Sequence, residues 1–271
     1  GEDEENLIIA SENAAIEILD IENYRNVNPG EIIVIDDDGL KSYPDKDRIN
    51  KNHCIFEDVY IARPDANIEN INSYMFRRRC GEILYRQAPI EADLVCPVPD
   101  SGTPSAIGFA QESGIPFAEG LVKNRYMGRS FIKPSQKERD LAVRLKLNPQ
   151  KSVVNGKRIV LVDDSIVRGT TSAKLIKRMR KAGAKEVHFR VTSPPFMYPC
   201  YYGVDTPDRS NLIAARLSIE EIRKQIGADS LEFIDLDSML KLVENPDDYC
   251  KACFTGNYPV KKDEISVSYT H

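Results

Sequence analysis

Asp163 and Asp164 stand side by side after the apolar run Ile159-Val160-Leu161-Val162, and Ser165-Ile166-Val167-Arg168-Gly169-Thr170-Thr171 follows. Two carboxylates delivered by a buried strand can accept hydrogen bonds from sugar hydroxyls or approach a divalent cation. They cannot hold a phosphate. The residues after them can: backbone N–H groups at a helix start, helped by small hydroxyl side chains, bind phosphate oxygens. Gly169 lets the backbone come close to such a ligand. The segment therefore reads as a sugar-phosphate site. The plain alternative is an ordinary strand, turn and helix in which the acid pair caps the helix. A bare Asp-Asp would favour that alternative; the full string favours the site. A second candidate is Cys250-Lys251-Ala252-Cys253. A Cys-x-x-Cys is half of a metal site, a redox pair or a coincidence. A four-thiolate site needs two more ligands, and spacing does not select them. His53, His188 and His271 are the histidines, and none lies in a triad context.

The carboxylates need a frame. Asn155-Gly156 predicts a turn, Arg158–Val162 a buried strand, Asp163–Thr171 a loop, Ser172–Ala182 a helix ended by Gly183, and Glu186–Thr192 another strand. Strand, loop, helix and strand in succession form a βαβ unit, which implies a parallel sheet with helices on its faces. Ligands bind at the carboxyl ends of strands in such sheets. Further alternation follows: a helix over Ile219–Ile226, a strand over Leu231–Ile234 and a helix over Ser238–Glu244. Upstream, Leu94–Val98 is a short apolar run ending in Pro99-Asp100-Ser101-Gly102, with a helix over Pro104–Ser113 and a turn at Gly114-Ile115-Pro116. Helical spacing over Ile68–Gln87 places Ile71, Met75, Ile83 and Leu84 on one side. Arg77-Arg78-Arg79 in this stretch reads as a solvated or partner-facing surface. Glu31–Ile35 reads as a strand ending in the turn Asp36-Asp37-Asp38-Gly39. The polar stretch Lys41–His53 reads as a linker that places a boundary near residue 45. Lys123–Pro149, crowded with Lys, Arg, Asn, Gln and Ser, reads as a mobile loop with a helix over Gln136–Leu145.

The composition sets bounds. The 271 residues include 37 Lys and Arg against 42 Asp and Glu, and 41% are apolar. That is the balance of a globular protein with a sizeable core, not of a fibrous or disordered chain. No apolar run reaches the roughly 18 residues of a membrane span. The acidic pI near 5.4 argues against bulk binding to nucleic acid. No signal peptide is visible and residue 1 is Gly, so the expectation is a cytoplasmic, processed or shortened chain. The six cysteines are then reduced thiols or metal ligands, with Cys80 and Cys96 read as small buried hydrophobes.

The string Ile159–Thr171 resembles the phosphoribosylpyrophosphate (PRPP) motif of type I phosphoribosyltransferases. The resemblance goes further. Tyr60-Ile61-Ala62-Arg63-Pro64-Asp65, Pro99–Ala106, Lys123-Asn124-Arg125-Tyr126, Gly128–Ile132, Val162–Thr171 and Gly203-Val204-Asp205 are similar in order to the amidophosphoribosyltransferase family. That family catalyses the committed step of purine synthesis. The resemblance implies an α/β fold: a type I phosphoribosyltransferase-like parallel sheet over residues 46–271, flanked by helices. It implies that residues 1–45 are a remnant of an N-terminal Ntn-hydrolase (glutaminase) domain. By resemblance, Ser101, Asp163 and Asp164 take the Mg²⁺ positions, and Ser165, Val167, Arg168, Gly169, Thr170 and Thr171 hold the 5′-phosphate. Ser101, Gly102 and Lys123 lie near the pyrophosphate, with Lys123, Asp163 and Asp164 the residues nearest the chemistry. Arg125–Leu147 is the loop that closes over PRPP.

In one subclass of the family four cysteines carry a [4Fe–4S] cluster. The matching positions are Cys54, Cys200, Cys250 and Cys253. Zinc in the same site, or an empty site, are the alternatives. The family's terminal catalytic Cys has no counterpart here, so the implied reaction uses ammonia, with glutamine serving only through a separate glutaminase domain or subunit. A homotetramer and feedback inhibition by purine nucleotides are implied as well. Three rivals remain at this stage: a phosphoribosyltransferase acting on a base, a non-catalytic PRPP-sensing regulator, and an inactive metal-stabilised module.

Overall fold

The computed structural model describes residues 1–3, 6–37, 39–45, 51–124, 147–206 and 208–260. The expected helix over Gln136–Leu145 and nearly all of the expected Arg125–Leu147 loop lie outside the described residues.

The N-terminal segment holds a short helix α1 (Ala14–Glu17) and an antiparallel hairpin of β1 (Ile32–Asp36) and β2 (Gly39–Tyr43). The predicted strand and turn are both present. The linker expected from Lys41 starts later, because Lys41–Tyr43 pairs with Ile32–Val34. Ile9, Ile18, Val27, Ile32 and Ile35 are exposed.

The body begins with β3 (His53–Cys54), a π-helical turn over Glu57–Ile61, and the two-residue strands β4 (Asn67–Ile68) and β5 (Ile71–Asn72). The helix expected from Ile68 starts only at Ser73, as α2 (Ser73–Gln87). Glu69 and Asn70 adopt φ of 46° and 65° and turn the chain between β4 and β5. Asn72 then caps the helix, accepting the Met75 N–H at 3.1 Å. The buried face also differs from the expected one. Phe76, Arg77, Cys80, Gly81 and Leu84 point inward, while Met75 is 37% exposed.

The sheet strands are β6 (Leu94–Pro97), β9 (Arg158–Asp163), β10 (Glu186–Val191) and β11 (Ser230–Phe233), all parallel, in the order β11-β10-β9-β6. Helix α3 (Thr103–Ser113), the antiparallel pair β7 (Leu121–Lys123) and β8 (Leu147–Pro149), and α4 (Lys151–Val154) link β6 to β9. Helix α5 (Thr170–Lys181) links β9 to β10, and α6 (Ile219–Ile226) precedes β11. The 219–226 helix matches expectation because its ends are locally encoded: Ser218 and Glu221 form a capping box, and Gly227 closes it in the left-handed region. After β11 come α7 (Leu236–Leu240), β12 (Tyr249–Cys250) and α8 (Ala252–Thr255). Helix α7 starts two residues before the predicted 238–244 and ends earlier, because Asp235 caps it through the Ser238 N–H at 2.9 Å.

Side-chain alternation along β9 divides the core. Ile159 and Leu161 pack with Leu175, Ile176 and Met179 of α5 and Ile222 and Ile226 of α6. Val160 and Val162 face the other layer, with Phe76, Cys80 and Leu84 of α2 and Phe109 of α3. Cys80 and Cys96 are buried, as expected of small hydrophobes. Burial holds the Cys80 thiol far above its ordinary range, and pushes Cys96 up to about 11.

Candidate functional site

The carboxyl ends of β6 and β9, neighbours in the sheet, deliver Ser101, Gly102, Asp163 and Asp164 to one edge of it. After β6 the chain runs through Val98 into Asp100, Ser101 and Gly102. The Val98 N–H donates to the Val162 carbonyl at 2.8 Å, so this loop continues the pairing with β9. Gly102 then passes directly over β9. A Cβ on Gly102 would lie 2.6 Å from the Val162 oxygen and 2.8 Å from the Val98 oxygen. Nothing larger than glycine fits without moving the loop, which explains Gly102 beside the carboxylates.

That approach brings Ser101 to Asp164: the Ser101 hydroxyl donates to Oδ2, and the Ser165 hydroxyl donates to Oδ1 at 2.7 Å. Asp163 Oδ1 accepts the Asp164 N–H at 3.0 Å. Asp163 is 8% exposed and Asp164 is 6% exposed. Burial, and then the charge of Asp164, hold the Asp163 carboxyl well above the usual carboxylate range. Burial raises Asp164 too, opposed by the hydroxyls of Ser101 and Ser165 and the charge of Arg77. Two adjacent carboxylates, buried and repelling each other, are stabilised by a cation placed between or beside them. The donor set of two hard carboxylate oxygens and a hydroxyl suits Mg²⁺. Among the described residues no three His, Cys, Asp or Glu side chains are grouped as a single-ion site.

The loop beyond Asp164 is anchored at its hydrophobic points. Ile166 is buried, and the Val167 carbonyl accepts the Ile213 N–H at 2.9 Å. Gly169 has φ 75° and caps α5 without a side-chain hydrogen bond. Its left-handed backbone favours glycine, and a Cβ there would meet Ile213 Cδ1 at 2.6 Å. The first N–H groups of this helix have no side-chain cap and stand beside Thr170 and Thr171, an arrangement chemically suited to an anion. Arg168 is exposed on the same loop. Lys123, at the end of β7, donates from Nζ to the Asp100 carboxylate. It is therefore held by the loop that follows β6.

Sequence reasoning missed Arg77, Ser105, Thr192 and Asp58. Arg77 is not a solvated residue: it is 3% exposed, donating from Nε to the Asp58 carbonyl at 2.7 Å and from Nη2 to the Ala62 carbonyl at 2.8 Å. A triplet of arginines carries no sign of which one turns inward; the tight packing of α2 on α3 decides it. Asp58 is 0% exposed, and its carboxylate oxygens lack hydrogen-bond partners. Burial and then the Glu57 charge push its pKa up to about 7, against the pull of Arg77. In the unfolded chain that carboxyl titrates near ~3.9. The folded form thus binds the proton more tightly, and the stability it contributes is full in acid and is lost as pH rises through about 7. Asp58→Asn removes this dependence. The variant's Tm relative to the parent is expected to be higher at pH 8 than at pH 5; a difference independent of pH would contradict the assignment.

The four cysteines singled out in sequence lie on neighbouring segments, although among the described residues they are not grouped as a metal site. Strand β12 pairs in parallel with β3, setting Cys250 opposite Cys54. The Cys253 carbonyl accepts the N–H groups of Met197 and Tyr198, which brings the segment leading to Cys200 alongside. All four thiols are free and half-buried. Burial, then the neighbouring Cys54, Cys250 and Cys200, hold the Cys253 thiol far above its ordinary range, and burial pushes Cys54 up to about 11. Half-buried, unpaired thiols are soft donors of the kind thiophilic metals take. His53 and His188 stay outside both sites: His53 lies 3.0 Å from Glu69, and His188 bridges Ser230 and Glu186.

Known proteins share this fold. A family profile for the phosphoribosyl transferase domain matches residues 69–193. A chloroplastic amidophosphoribosyltransferase of Arabidopsis thaliana is 48% identical over 96% of this chain and 46% of its own length. The amidophosphoribosyltransferase of Methanocaldococcus jannaschii is 49% identical over 96% of this chain and 58% of its own length. Among solved structures, glutamine PRPP amidotransferase from B. subtilis, complexed with ADP and GMP, superposes with a TM-score of 0.85 at 46% identity, over 93% of this chain and 56% of that one. An allosteric regulatory enzyme of purine biosynthesis superposes with a TM-score of 0.87 at 45% identity, over 95% of this chain and 56% of that one. The chain spans about half the length of these relatives.

Proposed function

Because this chain belongs to the amidophosphoribosyltransferase family, we propose that it transfers ammonia to C1 of PRPP, releasing pyrophosphate and forming 5-phosphoribosylamine. The observation that carries the reading is the buried Asp163–Asp164 pair, held by Ser101 and Ser165 next to the uncapped start of α5. In this reading the 5′-phosphate accepts N–H groups and hydroxyls from Ser165 to Thr171, and Arg168 adds a positive charge. The ribose hydroxyls face the two carboxylates. The pyrophosphate lies toward Ser101, Gly102 and Lys123. Lys123 exchanges its Asp100 carboxylate for pyrophosphate oxygens, so its charge meets the negative charge that grows on the leaving group. Ser101, Asp163 and Asp164 would hold Mg²⁺, which supplies charge neutralisation of the pyrophosphate. Ammonia is already nucleophilic when neutral, and among the described residues no histidine lies at the site to act as its base.

Cys54, Cys200, Cys250 and Cys253 would hold a [4Fe–4S] cluster with a structural role, clamping the C-terminal segment against β3. Residues 1–45 are the last strands of a glutaminase domain, and the exposed side chains of Ile9, Ile18, Ile32 and Ile35 are the surface such a domain would cover. Residues 46–271 are the phosphoribosyltransferase domain. The B. subtilis relative was solved with ADP and GMP, which supports purine nucleotides as feedback inhibitors in this reading. The assembly is a cytoplasmic homotetramer. No helix among the described residues is long and apolar enough to cross a membrane.

The test is pyrophosphate release from PRPP and Mg²⁺ with ammonium or glutamine as the nitrogen donor. Release with ammonium and none with glutamine is expected. No release with either, together with loss of PRPP binding by calorimetry, would overturn the reading. Anaerobically purified protein is expected to contain iron and acid-labile sulfide, and their absence would overturn the cluster assignment.

A further inference from the structure

Thr192 follows β10 and Ser105 lies in the first turn of α3; both are buried. Their hydroxyls lie 3.2 Å apart. Ser105 has one hydroxyl proton, and it goes to the Arg77 carbonyl of α2 at 3.0 Å. Thr192 is therefore the donor within the pair. The same Thr192 hydroxyl reaches the Asp163 carbonyl at 3.4 Å, and the Thr192 N–H donates to that carbonyl at 3.0 Å. A helical serine commonly turns its hydroxyl back to the carbonyl one turn earlier. Ser105 instead reaches out of its helix, to α2 on one side and toward Thr192 on the other. The two hydroxyls thus join α2, α3 and the carboxyl ends of β9 and β10 in one directed chain, each hydrogen bond polarising the next. Apolar side chains of the same shape would fill this space at little cost in stability. They would not supply direction: carbonyls fixed in a helix and a strand set where each hydroxyl can sit.

Ser101 and Gly102 stand immediately before α3. The Ala106 N–H donates to the Gly102 carbonyl at 2.9 Å, and the Gly102 N–H to the Val98 carbonyl at 3.0 Å, so loop and helix move as one body. Asp163 ends β9, and Asp164 is the next residue. From this geometry we infer that Thr192, acting with Ser105, is a positioning residue for the contact between Ser101 and Asp164: it fixes the start of α3 against the Asp163 main chain and so sets the spacing between the loop hydroxyl and the carboxylate pair. Both side chains act through the main chain, not on the substrate. The Thr192 N–H continues the pairing of β10 with β9 and survives any change of side chain, so the hydroxyl can be removed alone. The kinetic consequence rests on the proposed transfer from PRPP; the structural one stands without it.

Thr192→Val keeps the shape and removes the hydroxyl, and two readings on the full chain test it. In the ligand-free protein, the amides of residues 98–106 should exchange hydrogen about fivefold faster than in the parent, with those of α5 unchanged. With PRPP, Mg²⁺ and ammonium, well below Tm, kcat/KM should fall about tenfold, because a small misplacement of the groups around the leaving pyrophosphate is costly. The fall should lie in kcat more than in KM. Thr192→Ser gives up a buried methyl and should lower Tm, yet it keeps the hydroxyl and should hold both readings within about twofold of the parent. Adding Ser105→Ala to Thr192→Val should cost no further activity, since the chain of hydroxyls is already broken. A merely structural Thr192 would give kinetics that track Tm across the variants. Parent-like exchange in Thr192→Val, faster exchange that spreads over α5 as well, or an unchanged kcat/KM beside an active parent would each overturn the inference. So would a Thr192→Ser variant as impaired as Thr192→Val, or additive losses in the double variant. If Thr192→Val does not fold, Ser105→Ala is read in the same way and decides. A parent that neither binds nor turns over PRPP would remove the proposed reaction, and the exchange reading would then decide the role of Thr192 by itself.

Discussion

Asp163→Asn is expected to lower kcat/KM for PRPP, with ammonium as nitrogen donor, by about 10²-fold or more. It is also expected to raise the Tm of the ligand-free chain. The two effects have one cause. Asp163 Oδ1 accepts the Asp164 N–H at 3.0 Å, and an Asn side chain of the same shape can accept through its own Oδ1. The turn is therefore preserved. What is lost is one of two adjacent negative charges, both buried. In the ligand-free protein they repel each other, and the folded state raises the proton affinity of Asp163 above that of the unfolded chain. A carboxyl whose folded pKa is raised costs stability above its unfolded pKa, so at pH 7.5 the amide is the more stable choice. On the proposed function the balance reverses with substrate and cation present, because the same charge would then face the sugar and help to hold the cation. Stability and activity are thus expected to move in opposite directions, the mark of a strained functional site. Parallel measurement of kcat/KM and Tm checks this. An unchanged kcat/KM would remove Asp163 from the site.

Gly81→Ala should destabilise the fold by about 2 kcal/mol or more, a drop in Tm of about 4–8 °C for a domain of this size. Helix propensity alone predicts the reverse, since alanine is favoured over glycine inside a helix by about 1 kcal/mol. Packing overrides it. A Cβ on Gly81 would stand 1.9 Å from the Ser105 carbonyl oxygen and 2.9 Å from the Phe109 nitrogen. Across the crossing, a Cβ on Gly108 would stand 1.9 Å from the Arg78 carbonyl oxygen. The two glycines let α2 and α3 touch backbone to backbone. Both partners are main chain, so neither can rotate aside. Relief requires the helices to separate, and α3 begins at Thr103, two residues after Ser101. Separation would carry Ser101 away from Asp164. The variant is therefore expected to lose PRPP affinity along with stability. Thermal melts and calorimetry of Gly81→Ala, with Gly108→Ala as the reciprocal case, check the argument; a melt unchanged from the parent would refute it.

The elements whose ends carry local chemistry were legible from sequence. Ser218, Glu221 and Gly227 bound one helix, and the β-branched run before Asp163 declares a central strand. The turn that opens α5 was legible for the same reason, because Gly169 takes the left-handed backbone that ends the loop and starts the helix. Helix α2 was less legible. Its start depends on the positive φ of Glu69 and Asn70; asparagine tolerates that region, but glutamate does not announce it. Its buried face was misread because Arg77 carries no mark that separates it from Arg78 and Arg79. Spacing singled out Cys250 and Cys253, and only family resemblance singled out Cys54 and Cys200; the structure sets Cys54 opposite Cys250.

What the sequence determined by itself was the chemistry available: an acid pair, a glycine-and-threonine loop to receive a phosphate, and thiols suited to a metal. These follow from residue type and near-neighbour spacing, which act within one strand or one turn. What only the tertiary structure decided was which of those groups meet, and in what electrostatic setting. Ser101 reaches Asp164 because Gly102 lies flat on β9. Cys54 reaches Cys250 because two short strands pair across most of the chain. Arg77 becomes a buried cation because two glycines draw its helix inward. Each of these depends on contacts between residues far apart in sequence, and the low dielectric that makes them matter exists only once the core has closed.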